Sequence, residues 1–389
     1  MFGTGVAQLV VSALYILTAR SMRPDEYGSV VTAIGLGVAG AGFVDLGANA
    51  YWGRELASSR ITQQSLNVRV TIRFTIVLVV AAVAVAVSFY AAPVFIATGF
   101  VFVTTSIVQT VLVPLRAIQR SESVAWLVLV GRLVAIAIFL GQMAIGVGAG
   151  HALWTSLCLG DLVLAVCAFV VTPASDRLRF SVLPLANPWL GTRWYGLTAM
   201  STSAQQLDLP IVAALSGSGA AGIYGGVNRW TQPMLVVIGA FTSAAAPFVA
   251  AETRIGALKG QLLRASWILG AAMALSIAVF VEAPWLVTTL LGDDFIDSAP
   301  VLRLLAVAMM LNAVTQPLIM ALQARQRDHL AAAVVAVAVV AQLVSVIALA
   351  PKLGAVGAGI GVLVAQVVAL VGTVVCIAVV ARRRSTLPD

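Results

Sequence analysis

Asp208 and Arg229 lie inside long apolar tracts rather than in polar loops. Ionisable groups so placed are costly and generally face a water-filled cavity or a partner. Around them stand Ser201, Thr202, Ser203, Gln205, Gln206, Asn228, Thr231 and Gln232, a polar concentration unmatched elsewhere in the chain. At about 1.5 Å of rise per helical residue, the two charges fall at similar depths on successive helices. Two readings stay open, a polar path through the protein or a buried ion pair that braces two helices. Arg132 and Asp161 can approach each other in the same way, and with few polar companions a structural pair is the expectation there. Arg20 ends the first apolar tract, where its planar fork suits a phosphate or snorkels to the interface. Asp45 is placed to bind a coupling cation or, beside Gly47 and Asn49, to cap a helix end. Asn312, Thr315 and Gln316 precede Pro317, while Pro210 and Pro233 interrupt two further tracts. A proline inside a helix frees a carbonyl and permits a bend, so the helices of the second half are expected to flex.

Enzyme chemistry is not indicated. No HExxH, GxSxG or P-loop pattern occurs. Asp293, Asp294 and Asp297 sit in a turn too short to build a glycosyl-transfer site. Cys158, Cys167 and Cys376 are dispersed in apolar tracts without CxxC or Cys/His spacing, so neither a disulfide framework nor a metal site is expected. No cofactor is implied, and an ATP-driven mechanism would need a separate subunit.

The elements that must position these residues follow from composition. Of 389 residues, 61% are hydrophobic and 10% charged, and the mean hydropathy is +1.03, against about 25% charged in soluble domains. The formal charge of +8 is parcelled out between apolar tracts rather than gathered on one face, which argues against a nucleic-acid partner. An outer-membrane barrel would alternate polar and apolar residues, and these tracts do not. Cutting at polar turns predicts helices near 2–19, 29–51, 70–90, 94–115, 124–146, 151–173, 194–214, 222–250, 265–291, 300–323, 330–350 and 354–380. The first, lacking a basic start and a small-residue cleavage site, is read as uncleaved.

The expected class is therefore an all-α polytopic membrane protein of about twelve transmembrane helices. Alternate connections carry Arg54, Arg60 and Arg69; Arg116 and Arg120; Arg177, Arg179 and Arg193; Arg254, Lys259 and Arg264; Arg325 and Arg327; and Arg382 to Arg384. The positive-inside rule makes these cytoplasmic, with both termini inside. The opposite connections hold Arg20, Arg23 and Lys352 with the acidic turns at Asp25-Glu26 and Asp293 to Asp297. The stretch from Pro173 to Gly191, with Pro184, Asn187 and Pro188, divides the chain into bundles at 1–180 and 181–389. Three features recur in parallel order in the two parts. Pro24 to Gly28 matches Ala220 to Gly225, Pro114 to Arg120 matches Pro317 to Arg327, and Gly148-Ala149-Gly150 matches Gly354 to Gly357.

With these features the sequence resembles the polysaccharide-transport, or O-antigen flippase, branch of the multidrug/oligosaccharidyl-lipid/polysaccharide exporter superfamily. The likeness spans the chain. It rests on Thr18-Ala19-Arg20 before Tyr27-Gly28, Asp45-Leu46-Gly47 before Arg54-Glu55, Asp208 before Gly222-Ile223-Tyr224, Leu291 to Phe295, Ala321 to Ala324 and Pro351 to Ala358. The resemblance implies two six-helix bundles around a central cavity that opens alternately to either side of a bacterial inner membrane. It implies a polyprenyl-diphosphate-linked oligosaccharide as cargo, with other polysaccharide-assembly membrane proteins as possible partners. A cation-coupled multidrug exporter is the alternative on the same architecture, and a membrane sugar polymerase or ligase is a third reading that the short outer loops disfavour.

Overall fold

The computed structural model describes residues 2–91, 93–181, 187–251, 270–324 and 327–385. Pro184, Arg254, Lys259, Arg264 and Arg325 lie outside the described residues, and so do the side chains of Gln232, Pro233 and Arg382 to Arg384. Regular structure among the described residues is helical. The helices are α1 (Phe2–Arg20), α2 (Pro24–Asp45), α3 (Ala48–Ala57), α4 (Gln63–Ala91), α5 (Ile96–Ala117), α6 (Ser121–Ala144) and α7 (Ala149–Val171). They continue as α8 (Arg193–Gln205), α9 (Asp208–Ala251), α10 (Gly270–Val281), α11 (Ala283–Leu290), α12 (Ala299–Ala324), α13 (Asp328–Leu353) and α14 (Ala355–Ser385). An apolar chain in lipid must satisfy its backbone polar groups within each segment, which leaves the α-helix as the default.

Each expected segment falls on helical backbone where it is described, but three are interrupted. The segment 29–51 breaks at Leu46 and Gly47, both with positive φ. The segment 194–214 breaks at Gln206 and Leu207, and 265–291 bends by 77° between α10 and α11. Within α9 the backbone leaves helical geometry at Gly217 (φ 87°, ψ 167°). By length and hydropathy nine described helices qualify as membrane spans, or ten with the bent α10–α11 pair as one. That criterion does not reach twelve, because α1 offers only a shorter apolar helix and residues 195–231 count as one stretch. Stripes such as Val79, Val83 and Val87 on α4, or Val340, Val344 and Ile347 on α13, are exposed. Water would penalise such faces, whereas lipid does not.

Two repeated halves are visible in the packing. The helix pairs α6/α7, α5/α7, α2/α5 and α1/α6 recur as α13/α14, α12/α14, α9/α12 and α8/α13. The halves meet along α2, which lies against α9 and α8 over its whole length. Gly28, Gly35 and Gly42 recur every seven residues and so share one face. A methyl group on Gly28 would come within 1.9 Å of the Ser218 carbonyl oxygen, and one on Gly42 within 1.9 Å of Ser203 Oγ. At its far end α2 gives way to Gly47, seated against the Tyr195 backbone. One apolar core crosses this seam, joining Tyr15, Tyr27 and Ile34 to Tyr224, Val227 and Phe295. Tyr27 meets Phe295 edge to face at 5.8 Å, a geometry aromatic quadrupoles favour.

Candidate functional site

The interruption between α8 and α9 builds the principal site. Pro210 sits in the first turn of α9, where a missing N–H costs no helical hydrogen bond. Asp208, also in that turn, accepts the Leu209 N–H at 2.6 Å through Oδ1, and a carboxylate at a helix start is electrostatically favoured. Non-helical backbone at membrane depth is tolerated where it lines a cavity or is buried in protein. The backbone here borders a cavity of about 580 Å³ formed by α8, α9, α12, α13 and α14. Its amide wall comprises Gln205, Gln206 and Asn228 from α8, the connecting turn and α9, Asn312, Gln316 and Gln323 from α12, Gln342 from α13 and Gln366 from α14. Thr198, Thr202, Thr231 and Thr315 add hydroxyls, and Leu305, Met309 and Val362 supply apolar wall. Asp208 is the one ionisable side chain among the described lining residues.

Asp208 is 5% exposed and held from several sides. Its Oδ2 accepts the Tyr224 hydroxyl at 2.5 Å and the Gln342 amide at 3.2 Å. Arg229, one position beyond Asn228, points the other way, toward the seam. Its Nη1 donates to Gln206 Oε1 at 3.2 Å, its guanidinium lies 5.8 Å from the Tyr15 ring, and its Nη2 occupies space that a side chain on Gly35 would need. Asp208 and Arg229 therefore do not form the ion pair that was one of the two expectations for them. Tyr224 and Gln342 take the carboxylate, and Gln206 takes the guanidinium. Arg229 forms no ion pair among the described residues, and its buried Nε has no hydrogen-bond partner. The result is a cation on the seam between the halves, beside a polar cavity whose lining includes the Asp208 carboxyl.

The other expected residues divide by half. Arg132 on α6 and Asp161 on α7 pair at 2.8 Å. Asp45 pairs at 2.5 Å with Arg73 of α4, and its Oδ1 also accepts the Asn49 N–H at 3.2 Å in the first turn of α3, whose N-cap position is Gly47. Arg73 is 2% exposed, stacks over Trp52 at 4.8 Å and donates to Thr110. Arg20 is exposed at the end of α1. Asn312 Nδ2 donates to Gln366 Oε1 at 3.2 Å, linking α12 to α14 across the cavity wall. A search of the sequence for ionisable groups passes over Gln342, Gln366 and Tyr224, and over Arg73 because it lies near the basic start of α4. The available signal for the glutamines was their isolation within the apolar runs 331–350 and 355–380.

No family model matches the chain, and no curated protein matches it. Solved structures do. The inward-facing conformation of a multidrug resistance MATE family transporter of the MOP superfamily superposes with a TM-score of 0.71 at 17% identity, covering 98% of this chain and 96% of that one. The lipid II flippase MurJ in an inward closed conformation gives 0.71 at 9% identity, over 97% and 87%. An outward-facing conformation of a multidrug resistance MATE family transporter gives 0.56 at 17% identity, over 99% and 96%. At these identities the likeness is one of fold, and the helix arrangement is nearer to the inward-facing forms.

Proposed function

We propose that this chain is a membrane transporter that moves a polyprenyl-diphosphate-linked oligosaccharide from the cytoplasmic to the outer leaflet of a bacterial inner membrane. In this reading the halves at 1–180 and 181–389 rock about the α2 seam, with both termini inside. One observation carries it. Arg229, a guanidinium without an ion-pair partner among the described residues, stands on the seam next to a cavity walled by amides and hydroxyls. A diphosphate and its sugars cannot cross hydrocarbon without replacement of their hydration, so a polar path within protein must substitute for water. The guanidinium offers the planar donor fork that a phosphate accepts, the amides and hydroxyls of the wall suit the sugars, and the lipid tail stays in the bilayer. The discontinuous α8–α9 backbone belongs with such a site, since broken helices recur where transporters hold their cargo.

The alternative, a cation-coupled multidrug exporter, is favoured by the fold likeness to the multidrug transporter. Against it, the described cavity lining carries no aromatic side chain, and its one carboxylate already holds three donors.

The test is transport by the purified full chain in vesicles loaded on one leaflet with a fluorescent polyprenyl-diphosphate N-acetylglucosamine. Wild type should equilibrate the probe between leaflets, and Arg229→Ala should slow this by about tenfold or more, the scale of one hydrogen bond to a charged group. Arg229→Lys should recover part of the rate. Transport of a cationic dye with none of the lipid would overturn the reading in favour of the exporter.

A further inference from the structure

We infer that the second-half cavity is a subsite for uncharged sugar residues, and that the Asn312–Gln366 pair across it sets a preference for neutral over acidic glycans. This rests on the flippase reading and adds to it a division of labour within the headgroup, phosphate on the seam and sugar in the second half.

The chemistry of the wall carries the inference. A sugar hydroxyl both donates and accepts, and a primary amide offers two donors and a two-lone-pair acceptor on one side chain. The Asn312–Gln366 bond, with Asn312 Nδ2 donating to Gln366 Oε1, leaves the Asn312 oxygen and the Gln366 nitrogen to bond a ligand. An acceptor and a donor thus stand together on facing helices, matching a hydroxyl that gives one proton and receives another. Leu305, Met309 and Val362 supply apolar surface for the C–H faces of a pyranose ring, and about 580 Å³ lies within the usual range of small-ligand sites, roughly 300–1,000 Å³.

An acidic sugar fits this wall poorly. Its carboxylate would lose its hydration to a lining with no Lys, Arg or His among the described residues, and a buried unpaired charge is strongly disfavoured. Asp208 worsens the mismatch, because a second carboxylate nearby adds like-charge repulsion. Arg229 is not among the lining residues; its guanidinium is bonded to Gln206 and lies against Tyr15 and Gly35.

The experiment compares three probes on the purified full chain in lipid nanodiscs: polyprenyl diphosphate, the same lipid carrying N-acetylglucosamine, and the same lipid carrying galacturonic acid. Wild type should bind the neutral glycolipid about tenfold more tightly than either of the others, a margin one to two hydrogen bonds can supply. The double substitution Asn312→Leu/Gln366→Leu should bring the neutral-to-bare ratio close to one. Equal wild-type affinities for all three probes would overturn the inference whether or not the double variant folds, and so would a neutral preference that survives in a folded double variant. Vesicle transport by the same preparation separates the two levels. Movement of the lipids without sugar preference removes the subsite and leaves the flippase, whereas failure to bind or move any of the three removes both.

Discussion

Helices α6 and α7 in the first half and α13 and α14 in the second occupy corresponding places in the repeated packing, yet they use their polar side chains differently. On α6 and α7, Arg132 and Asp161 meet at 2.8 Å and use their charges on each other. On α13 and α14, Gln342 and Gln366 face a cavity, each with part of its hydrogen-bonding capacity engaged by one neighbour. The first half repeats its habit at Asp45 and Arg73, a second closed pair. Buried charges are costly unless paired or hydrogen-bonded, and these first-half residues are matched by ion pairs. Amides tolerate partial satisfaction, exchanging a neighbour for a ligand at small cost. A fold built twice can thus close polar groups by ion pairs in one copy and turn amides toward a cavity in the other.

The comparison breaks most readily at Asp45. Asp45→Ala should destabilise the protein by about 3–5 kcal/mol, since it strands a buried guanidinium, and thermal unfolding in detergent reads this directly. Asp45→Leu/Arg73→Met should recover most of the loss, because apolar replacement of a whole pair is close to neutral. A single-variant cost below about 1 kcal/mol would mean that the first half does not depend on closed pairs. Next in size is the seam. Gly42→Leu should cost about 1–3 kcal/mol through overpacking against Ser203, while Gly141→Leu, where a Cβ meets nothing within 4 Å, should stay within about 0.5 kcal/mol. A smaller effect than at Asp45 or Gly42 is expected in the second half. Asn312→Leu/Gln366→Leu removes both partners together and should change unfolding by about 1 kcal/mol or less. A large loss of stability there would make the cavity wall a structural network like that of the first half.

Much of the fold was legible in the residues themselves. The apolar runs ending near Ala350 and Val380 mark α13 and most of α14, whereas Pro24, Asp25 and Glu26, expected in a turn before a helix near 29, form the first turn of α2. The Arg132–Asp161 pair was also within reach, since the two side chains sit on successive helices joined by a short turn. Asp208 and Arg229 stand out in the sequence as ionisable groups in apolar tracts, but their relation does not follow from it. Similar depth on neighbouring helices does not decide whether two groups face each other, and here Tyr224 and Gln342 hold Asp208 while Gln206 holds Arg229. Gln342 and Gln366 escaped because an uncharged amide barely lowers the hydropathy of a run of alanine and valine, and nothing in that run says which face meets a cavity.

Apolar composition and segment length determined by themselves that this chain is helical and suited to lipid, because backbone hydrogen bonds without water close within about four residues of their origin. Which polar groups meet was decided only by the tertiary structure. Arg73 reaches Asp45 across 28 residues, and Gln342 reaches Asp208 across 134. Such distances are set by how helices rotate and cross, and a fraction of a turn there separates a sealed ion pair from a side chain that lines a cavity.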